Sequence, residues 1–165
     1  MSLRTDLERL GLLAPDAQVP ANATLLVLCE AGALDGGLSI ALDLRPDELF
    51  GPLSERIGGA AKGIKVLDVR DDPEVALVVD AGAGEEAWEV REARDLVERC
   101  NDAFRDDPTA RAVAVLGEWE DMLQLWCVPK RALPALLRLP GFQAENRARL
   151  SGLAPVTERV PASRP

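Results

Sequence analysis

The strongest constraint on the fold is the order of the apolar segments along the chain. Short runs suited to β-strands come in pairs, and each pair is followed by a run with helical spacing; the pairs begin near residues 24, 64 and 111. Short links between paired strands imply antiparallel hairpins. The pattern therefore predicts an α+β domain with a mixed, largely antiparallel sheet. This sheet is built from three strand–strand–helix units, with the helices packed on one face.

The strands are predicted from continuous apolar runs and from alternation of apolar with polar side chains. They cover residues 24–29, 38–44, 64–69, 75–80, 112–116 and 122–128. Residues 24–29 form a continuous apolar run, which is typical of a buried strand. Residues 122–128 are largely apolar on both faces, so we expect this strand to be central in its sheet.

Four helices are expected between and beside these strands. They cover residues 3–13, 46–57, 85–106 and 129–139. Pro46 suits the first turn of the second helix, and Gly51-Pro52 should kink or split it. Residues 1–150 are predicted to be a single α+β domain with a short N-terminal helix. Proline and polar residues predominate in 151–165, which predicts a C-terminal tail of low order.

The charge balance narrows the classes of partner. The 165 residues include 19 Lys or Arg and 28 Asp or Glu, a formal net charge of −9. Such a chain repels nucleic acid and anionic lipid, so we expect no nucleic-acid partner and no membrane partner. No apolar run is long enough to span a membrane, and the N-terminus lacks the pattern of a signal peptide. These features predict a cytoplasmic protein, and the Ala- and Arg-rich, Lys-poor composition suggests a bacterial genome rich in G and C.

The absence of histidine and tyrosine limits the chemistry that the chain can perform. Ser–His–Asp and Cys–His catalysis lose their base, and acid–base work would fall to carboxylates or a lysine. Cys29, Cys100 and Cys127 have no C-x-x-C spacing and lie among apolar neighbours, so we expect each to be a core residue. No motif of a familiar enzyme family is present, and neither a catalytic residue nor a cofactor is assigned.

Two glycine-rich segments invite comparison with phosphate-binding loops. In residues 58–65, Ile64 stands where the phosphate loop requires lysine, and the segment precedes a strand instead of opening a helix. Gly82-Ala83-Gly84 does follow a strand and open a predicted helix, but Glu85 and Glu86 would repel a phosphate there. We therefore interpret both segments as connections.

A cluster of acids at residues 68–74 offers oxygen ligands for a divalent cation. It consists of Asp68, Asp71, Asp72 and Glu74 and lacks the spacing of an EF-hand. A solvated turn explains it more simply, so no metal ligand is assigned. A carboxylate-dependent enzyme assisted by a divalent metal held here is our alternative hypothesis for the function.

The most suggestive segment is Glu118-Trp119-Glu120-Asp121, a tryptophan among three acids at a predicted hairpin tip. Tryptophan is enriched in binding hot spots, and the acids would attract a basic partner. The simpler interpretation is that Trp119 folds back over the sheet edge and packs on Trp126 or on the long helix. Our preferred hypothesis is a non-catalytic interaction or regulatory module that binds a protein partner, or a second copy of itself, through these four residues or a sheet edge.

Overall fold

The computed structural model describes residues 3–71, 75–80, 82 and 84–153. Its helices are α1 (Leu3–Leu10), α2 (Leu25–Glu30), α3 (Pro46–Ile57), α4 (Ala93–Ala103), α5 (Leu133–Leu136) and α6 (Pro140–Leu150). Its strands are β1 (Gly37–Ala41), β2 (Lys65–Arg70), β3 (Ala76–Asp80), β4 (Glu85–Glu89), β5 (Ala112–Trp119) and β6 (Met122–Val128). Short 3₁₀ turns cover Gly59–Gly63, Lys130–Ala132 and Ser151–Leu153.

The predicted α+β class is confirmed, but the strands form two sheets where a single mixed sheet was expected. One sheet has the order β1-β6-β5 and the other β2-β3-β4, and every pairing is antiparallel. The expected hairpins β2–β3 and β5–β6 are both present. Strand β6 lies at the centre of its sheet, as its two apolar faces predicted.

The first sheet has packed side chains on both faces, whereas the sequence predicted helices on one face only. On one face, Val115 and Leu125 join a core with α3, α4 and the inner face of the second sheet. On the other face, Ala114, Trp126 and Val128 join a core with α1, α2, α5 and α6. Successive side chains of a strand point to opposite faces, so a central strand with two buried faces is apolar on both, and in β6 the one polar exception is the buried Gln124.

The predicted strand at residues 24–29 is wrong, because this segment forms α2. Thr24 caps the helix: its backbone is extended, and its Oγ1 accepts a hydrogen bond from the Val27 N–H at 3.3 Å. Leu25, Leu28 and Cys29 are buried, which is the i, i+3, i+4 spacing of a helix face. A short run with no polar residue fits both a strand and a helix, so its periodicity could not decide between them.

The predicted helix at residues 85–106 is divided into an edge strand and a shorter helix. Residues 85–89 form β4, in which Trp88 lies opposite Leu77 and is buried in the core between α3 and the second sheet. Helix α4 begins only after Glu92, whose side chain and that of Asp95 form a capping box. Glutamates favour a helix, but burial of the Trp88 side chain beside β3 outweighs that preference.

The segments near Pro52 and after Pro140 also differ from expectation. Helix α3 begins at Pro46 as predicted and continues unbroken through Pro52, because its apolar side chains are buried in the core. The last predicted helix was expected to end at Pro140, but a further helix, α6, begins at this residue. In the expected tail, Ser151–Leu153 form a 3₁₀ turn with Leu153 buried, and residues 154–165 lie outside the described residues.

Two asparagine side chains close the free edge of β5. Asn101 of α4 donates to the Val113 carbonyl at 2.9 Å and accepts from the Val113 N–H at 2.8 Å. Asn146 of α6 makes the same two bonds with Val115, at 2.7 and 2.9 Å. A side-chain amide presents the donor and the acceptor of a peptide group, so these residues continue the ladder of the sheet. The edge of β5 is therefore closed to another strand at both positions.

Candidate functional site

The four residues selected from the sequence do lie at the tip of the β5–β6 hairpin. Trp119 pairs with Met122, so Glu120 and Asp121 form a two-residue turn. Both turn residues have positive φ, 54° and 61° respectively, as a type I′ turn requires. Asn-Gly or Asp-Gly is the preferred sequence for such a turn, and a glutamate in this conformation stores strain. Backbone strain of this kind is concentrated at functional positions.

The Trp119 side chain is partly exposed at this tip, and among the described residues it makes no ring contact with Trp126. It is 39% exposed, whereas Trp88 and Trp126 are buried. Trp126 pairs instead with Phe142, with ring centroids 6.1 Å apart. Among the described residues, no ring and no cation is stacked on Trp119. Part of the indole is thus accessible at the end of the hairpin.

The three acids around Trp119 are exposed and carry uncompensated charge. Within the described ranges, no Lys or Arg forms an ion pair with Glu118, Glu120 or Asp121. The tip therefore combines an apolar ring with three negative charges. This combination suits a cation that can lie over the ring while carboxylates surround it.

The acidic cluster at residues 68–74 is only partly described, since Asp72 and Glu74 lie outside the described residues. Asp71 accepts a hydrogen bond from Arg45 at 2.6 Å, and Asp68 accepts one from the Val69 N–H at 2.9 Å. No group of three or more candidate ligands converges in the part of the chain that the structure covers. Of these two acids, Asp68 lies in β2 and Asp71 follows it, and each is hydrogen-bonded to another group of the chain.

The three cysteines are buried free thiols, which confirms their predicted place in the core. Burial raises the pKa of Cys29 to about 11 and that of Cys100 to about 12. The pKa of Cys127 is raised to about 12 for the same reason. A thiol is nucleophilic only as the thiolate, so none of these three groups is poised for catalysis at neutral pH.

Lys130 is a buried lysine, but its ammonium has a structural role. Its Nζ donates to the carbonyls of Phe104 at 2.6 Å, Arg105 at 3.2 Å and Asp107 at 2.7 Å. These bonds satisfy carbonyls just after α4 and use all three donors of the ammonium. Burial lowers the pKa of Lys130, and the nearby carboxylates of Asp107 and Asp106 oppose this shift. With no free donor, Lys130 is poorly placed for proton transfer.

The two glycine-rich segments act as connections, in agreement with the sequence analysis. Gly59–Gly63 form a 3₁₀ turn between α3 and β2. Gly82 donates its N–H to Asp80 at 2.8 Å in the link between β3 and β4, so this segment leads to a strand where a helix was predicted. A phosphate cradle needs the N-terminus of a helix, which neither segment supplies.

A cavity of about 490 Å³ lies beside the first of these segments and was missed by the sequence analysis. Its wall includes Asp35, Gly36, Arg56, Gly58, Lys62 and Arg111. Arg56 and Arg111 are far apart in the sequence and come together only because α3 and the start of β5 pack side by side. The only local signals are the glycine pairs at 36–37 and 58–59, which mark the two turns of the wall.

Comparisons with known proteins gave no match to the chain, whether with family models, curated proteins or solved structures. In the described ranges, no helix is both long and apolar enough to cross a membrane.

Proposed function

We propose that this protein is a non-catalytic interaction module that binds a basic segment of a partner protein at the hairpin tip, Glu118–Asp121. The observation that carries this proposal is the 39% exposure of Trp119 among three acids that have no ion-pair partner in the described ranges. An exposed indole costs free energy in water, and the turn next to it is strained. A partner that covers the tip would remove the indole from water and offset both costs.

An arginine-rich segment fits this surface best. A guanidinium over the face of an indole gains about 0.5–2 kcal/mol, and more when the pair is removed from water. The carboxylates of Glu118, Glu120 and Asp121 attract the same cation over a longer range, which raises the association rate and makes it sensitive to salt. Two copies of the acidic tip repel each other, so a symmetric tip-to-tip dimer is less favourable than a basic partner.

A sheet edge is the second possible docking place, and two of the edges, those of β5 and β2, are less suitable than the tip. Strand β5 is closed by Asn101 and Asn146. Strand β2 exposes Leu67, but it has a bulge between Val66 and Asp68 and charged residues at both ends. Bulges and edge charges are the devices that prevent a strand from pairing with another chain.

A cytoplasmic location and a partner other than nucleic acid also belong to this proposal. The three buried thiols have no disulfide partner, which suits a reducing compartment. The net charge of −9 opposes the counterion release on which nucleic-acid binding depends. The negative charge is consistent with a partner whose basic segment is polypeptide.

The test uses isothermal titration of the full chain with a synthetic peptide of alternating arginine and glycine at low ionic strength. Trp119→Ala should weaken binding about tenfold, equivalent to ~1.4 kcal/mol, while the melting temperature stays within about 2 °C of the original value. Glu118→Gln should weaken binding less and reduce its salt dependence. Leu67→Ala is the control, because Leu67 is exposed to 48% on β2, outside the tip.

Two results would contradict the proposed function. Equal peptide affinity for Trp119→Ala and Leu67→Ala would show that the tip is not the binding surface. A fall in melting temperature above about 6 °C for Trp119→Ala, roughly 2 kcal/mol for a chain of this size, would show that the indole is a packing residue. Sedimentation velocity of the unmodified chain tests the remaining partner, a second copy.

A further inference from the structure

We infer that the cavity between α3 and the start of β5 binds a small anion bearing a carboxylate or phosphate group, with Arg56 and Arg111 as its ligands. The cavity measures about 490 Å³, within the usual range for small-molecule sites. Arginine presents a planar fork of N–H donors that matches the paired oxygens of both anion types. This site is separate from the hairpin tip and independent of the function proposed for it.

Arg56 is held in position without being neutralised. Its Nε donates to the Gly37 carbonyl at 3.1 Å, and its Nη1 donates to the Pro52 carbonyl at 3.2 Å. Among the described residues, no carboxylate lies within ion-pair distance of its guanidinium, and Nη2 makes no hydrogen bond. Two backbone carbonyls thus fix the orientation of the group while its full charge stays available to a ligand.

Arg111 is fixed from the opposite wall. Its Nη1 donates to the Cys127 carbonyl and its Nη2 to Asp35 Oδ2, both at 3.3 Å. Asp35 is itself anchored, because its carbonyl accepts the indole N–H of Trp126 at 2.9 Å. Both bonds of Arg111 are long, so the guanidinium keeps much of its capacity to bind a stronger acceptor.

Gly36 makes room for this arrangement. Its φ is +85°, and a Cβ at this position would overlap the Cys127 carbonyl oxygen and lie 2.8 Å from Arg111 Nη1. Any side chain here would therefore displace the Arg111 guanidinium. The turn is pre-organised around the arginine, which lowers the entropy lost when a ligand binds.

The charges lining the cavity favour an anion even though the chain as a whole is acidic. Arg56, Arg111 and Lys62 face Asp35 and Glu55, so three basic groups stand against two acidic groups, a net charge of +1. Lys62 lies 4.0 Å from Glu55, and both side chains are exposed, so this pair is weak. On a chain of net charge −9, a locally positive concave surface attracts anions of small size.

The experiment follows backbone amide NMR signals while the full chain is titrated with inorganic phosphate and, separately, with citrate. Ionic strength is held constant with chloride. We expect saturable shifts confined to Gly36, Gly37, Gly58 and their neighbours, with dissociation constants in the millimolar range or below. Saturation by phosphate alone would identify a phosphate ligand, saturation by citrate alone a carboxylate ligand, and saturation by both a general oxyanion site.

Matched variants separate binding from general salt effects. Arg56→Gln should weaken the affinity about tenfold, and Arg56→Lys should weaken it less, because lysine keeps the charge but loses the fork. Arg4→Gln is the control, since Arg4 is an exposed residue of α1 that pairs with Glu8. Linear, non-saturating shifts with both anions, or equal affinities for Arg56→Gln and Arg4→Gln, would overturn the inference.

Discussion

Replacing Asn146 tests a buried polar contact that links α6 to the edge of β5. This side chain is 1% exposed and makes three hydrogen bonds: two with the backbone of Val115 and one, at 2.9 Å, to the Phe142 carbonyl. Asn146→Leu keeps a similar volume and removes both the donor and the acceptor. The change leaves the Val115 N–H and carbonyl unpaired at the edge of β5, between two packed layers.

The expected loss of stability follows from these two orphaned groups. A buried polar group without a partner costs about 1–3 kcal/mol, so two cost roughly 4 kcal/mol together. The Phe142 carbonyl adds little, because it lies within α6, where backbone bonding is available. A chain of this length loses about 2–4 °C of melting temperature per kcal/mol, so we expect a fall of about 8–16 °C. Such a loss is a large part of the stability of an ordinary domain.

Asn146→Asp provides a sharper version of the same test. A carboxylate here would face the carbonyls of Val115 and Phe142, both acceptors, and burial disfavours its charge. The folded-state pKa of this aspartate should therefore lie above its unfolded value of about 3.9. The folded state then binds more protons, so the stability of the variant falls as pH rises above about 4. The original chain has no such group at this position.

Urea unfolding followed by circular dichroism measures both effects, with Asn101→Leu as the comparison. Asn101 makes the equivalent bonds with Val113 but is partly exposed, so water can replace it and we expect a loss of about 1 kcal/mol. A loss below about 1 kcal/mol for Asn146→Leu would refute this account of the β5 edge. So would a pH-independent stability for Asn146→Asp between about pH 4 and pH 7.

Two further predictions concern titratable groups. The Thr109 hydroxyl and the N–H groups of Ala60 and Thr109 lower the pKa of Asp107 to about 2. The stability that this carboxylate contributes is present above its unfolded pKa of about 3.9 and is lost as pH falls towards 2. The urea concentration at the unfolding midpoint should therefore depend less on pH in Asp107→Asn than in the original chain between about pH 4 and pH 2. Burial raises the pKa values of all three cysteines, so Ellman's reagent should modify none of them in the folded chain at neutral pH and all three in denaturant.

The parts of the fold that could be predicted are those in which local pattern and burial agree. The β5–β6 hairpin follows from alternating apolar runs around a polar turn, and its central strand follows from two apolar faces. Residues 24–29 and 85–89 could not be assigned in the same way. The first has no polar residue to reveal its period, and the second is held as a strand by the burial of Trp88, which a local pattern does not show.

The two candidate sites also differ in how far a local sequence pattern could reveal them. The hairpin tip is continuous in sequence, so four adjacent letters were enough to select it. The cavity depends on Arg56 and Arg111, which are separated by all three strands of the second sheet and by α4. Only the packing of α3 against the start of β5, fixed by the bond from the Arg111 N–H to the Ile57 carbonyl at 2.8 Å, brings them together. Such a site has no sequence motif because its spacing is set by tertiary structure.

The two sites also lie at opposite ends of one strand, which decides how they can influence each other. Arg111 immediately precedes β5 and Trp119 is its last residue, so the eight residues of the strand separate them by roughly 25 Å. That is about three Debye lengths at physiological salt, so a charge bound at one site is screened at the other. Strand β5 is held by β6 on one edge and by Asn101 and Asn146 on the other, and a strand clamped on both edges resists the displacement that coupling requires. Binding at the acidic tip and at the basic cavity should therefore be thermodynamically independent.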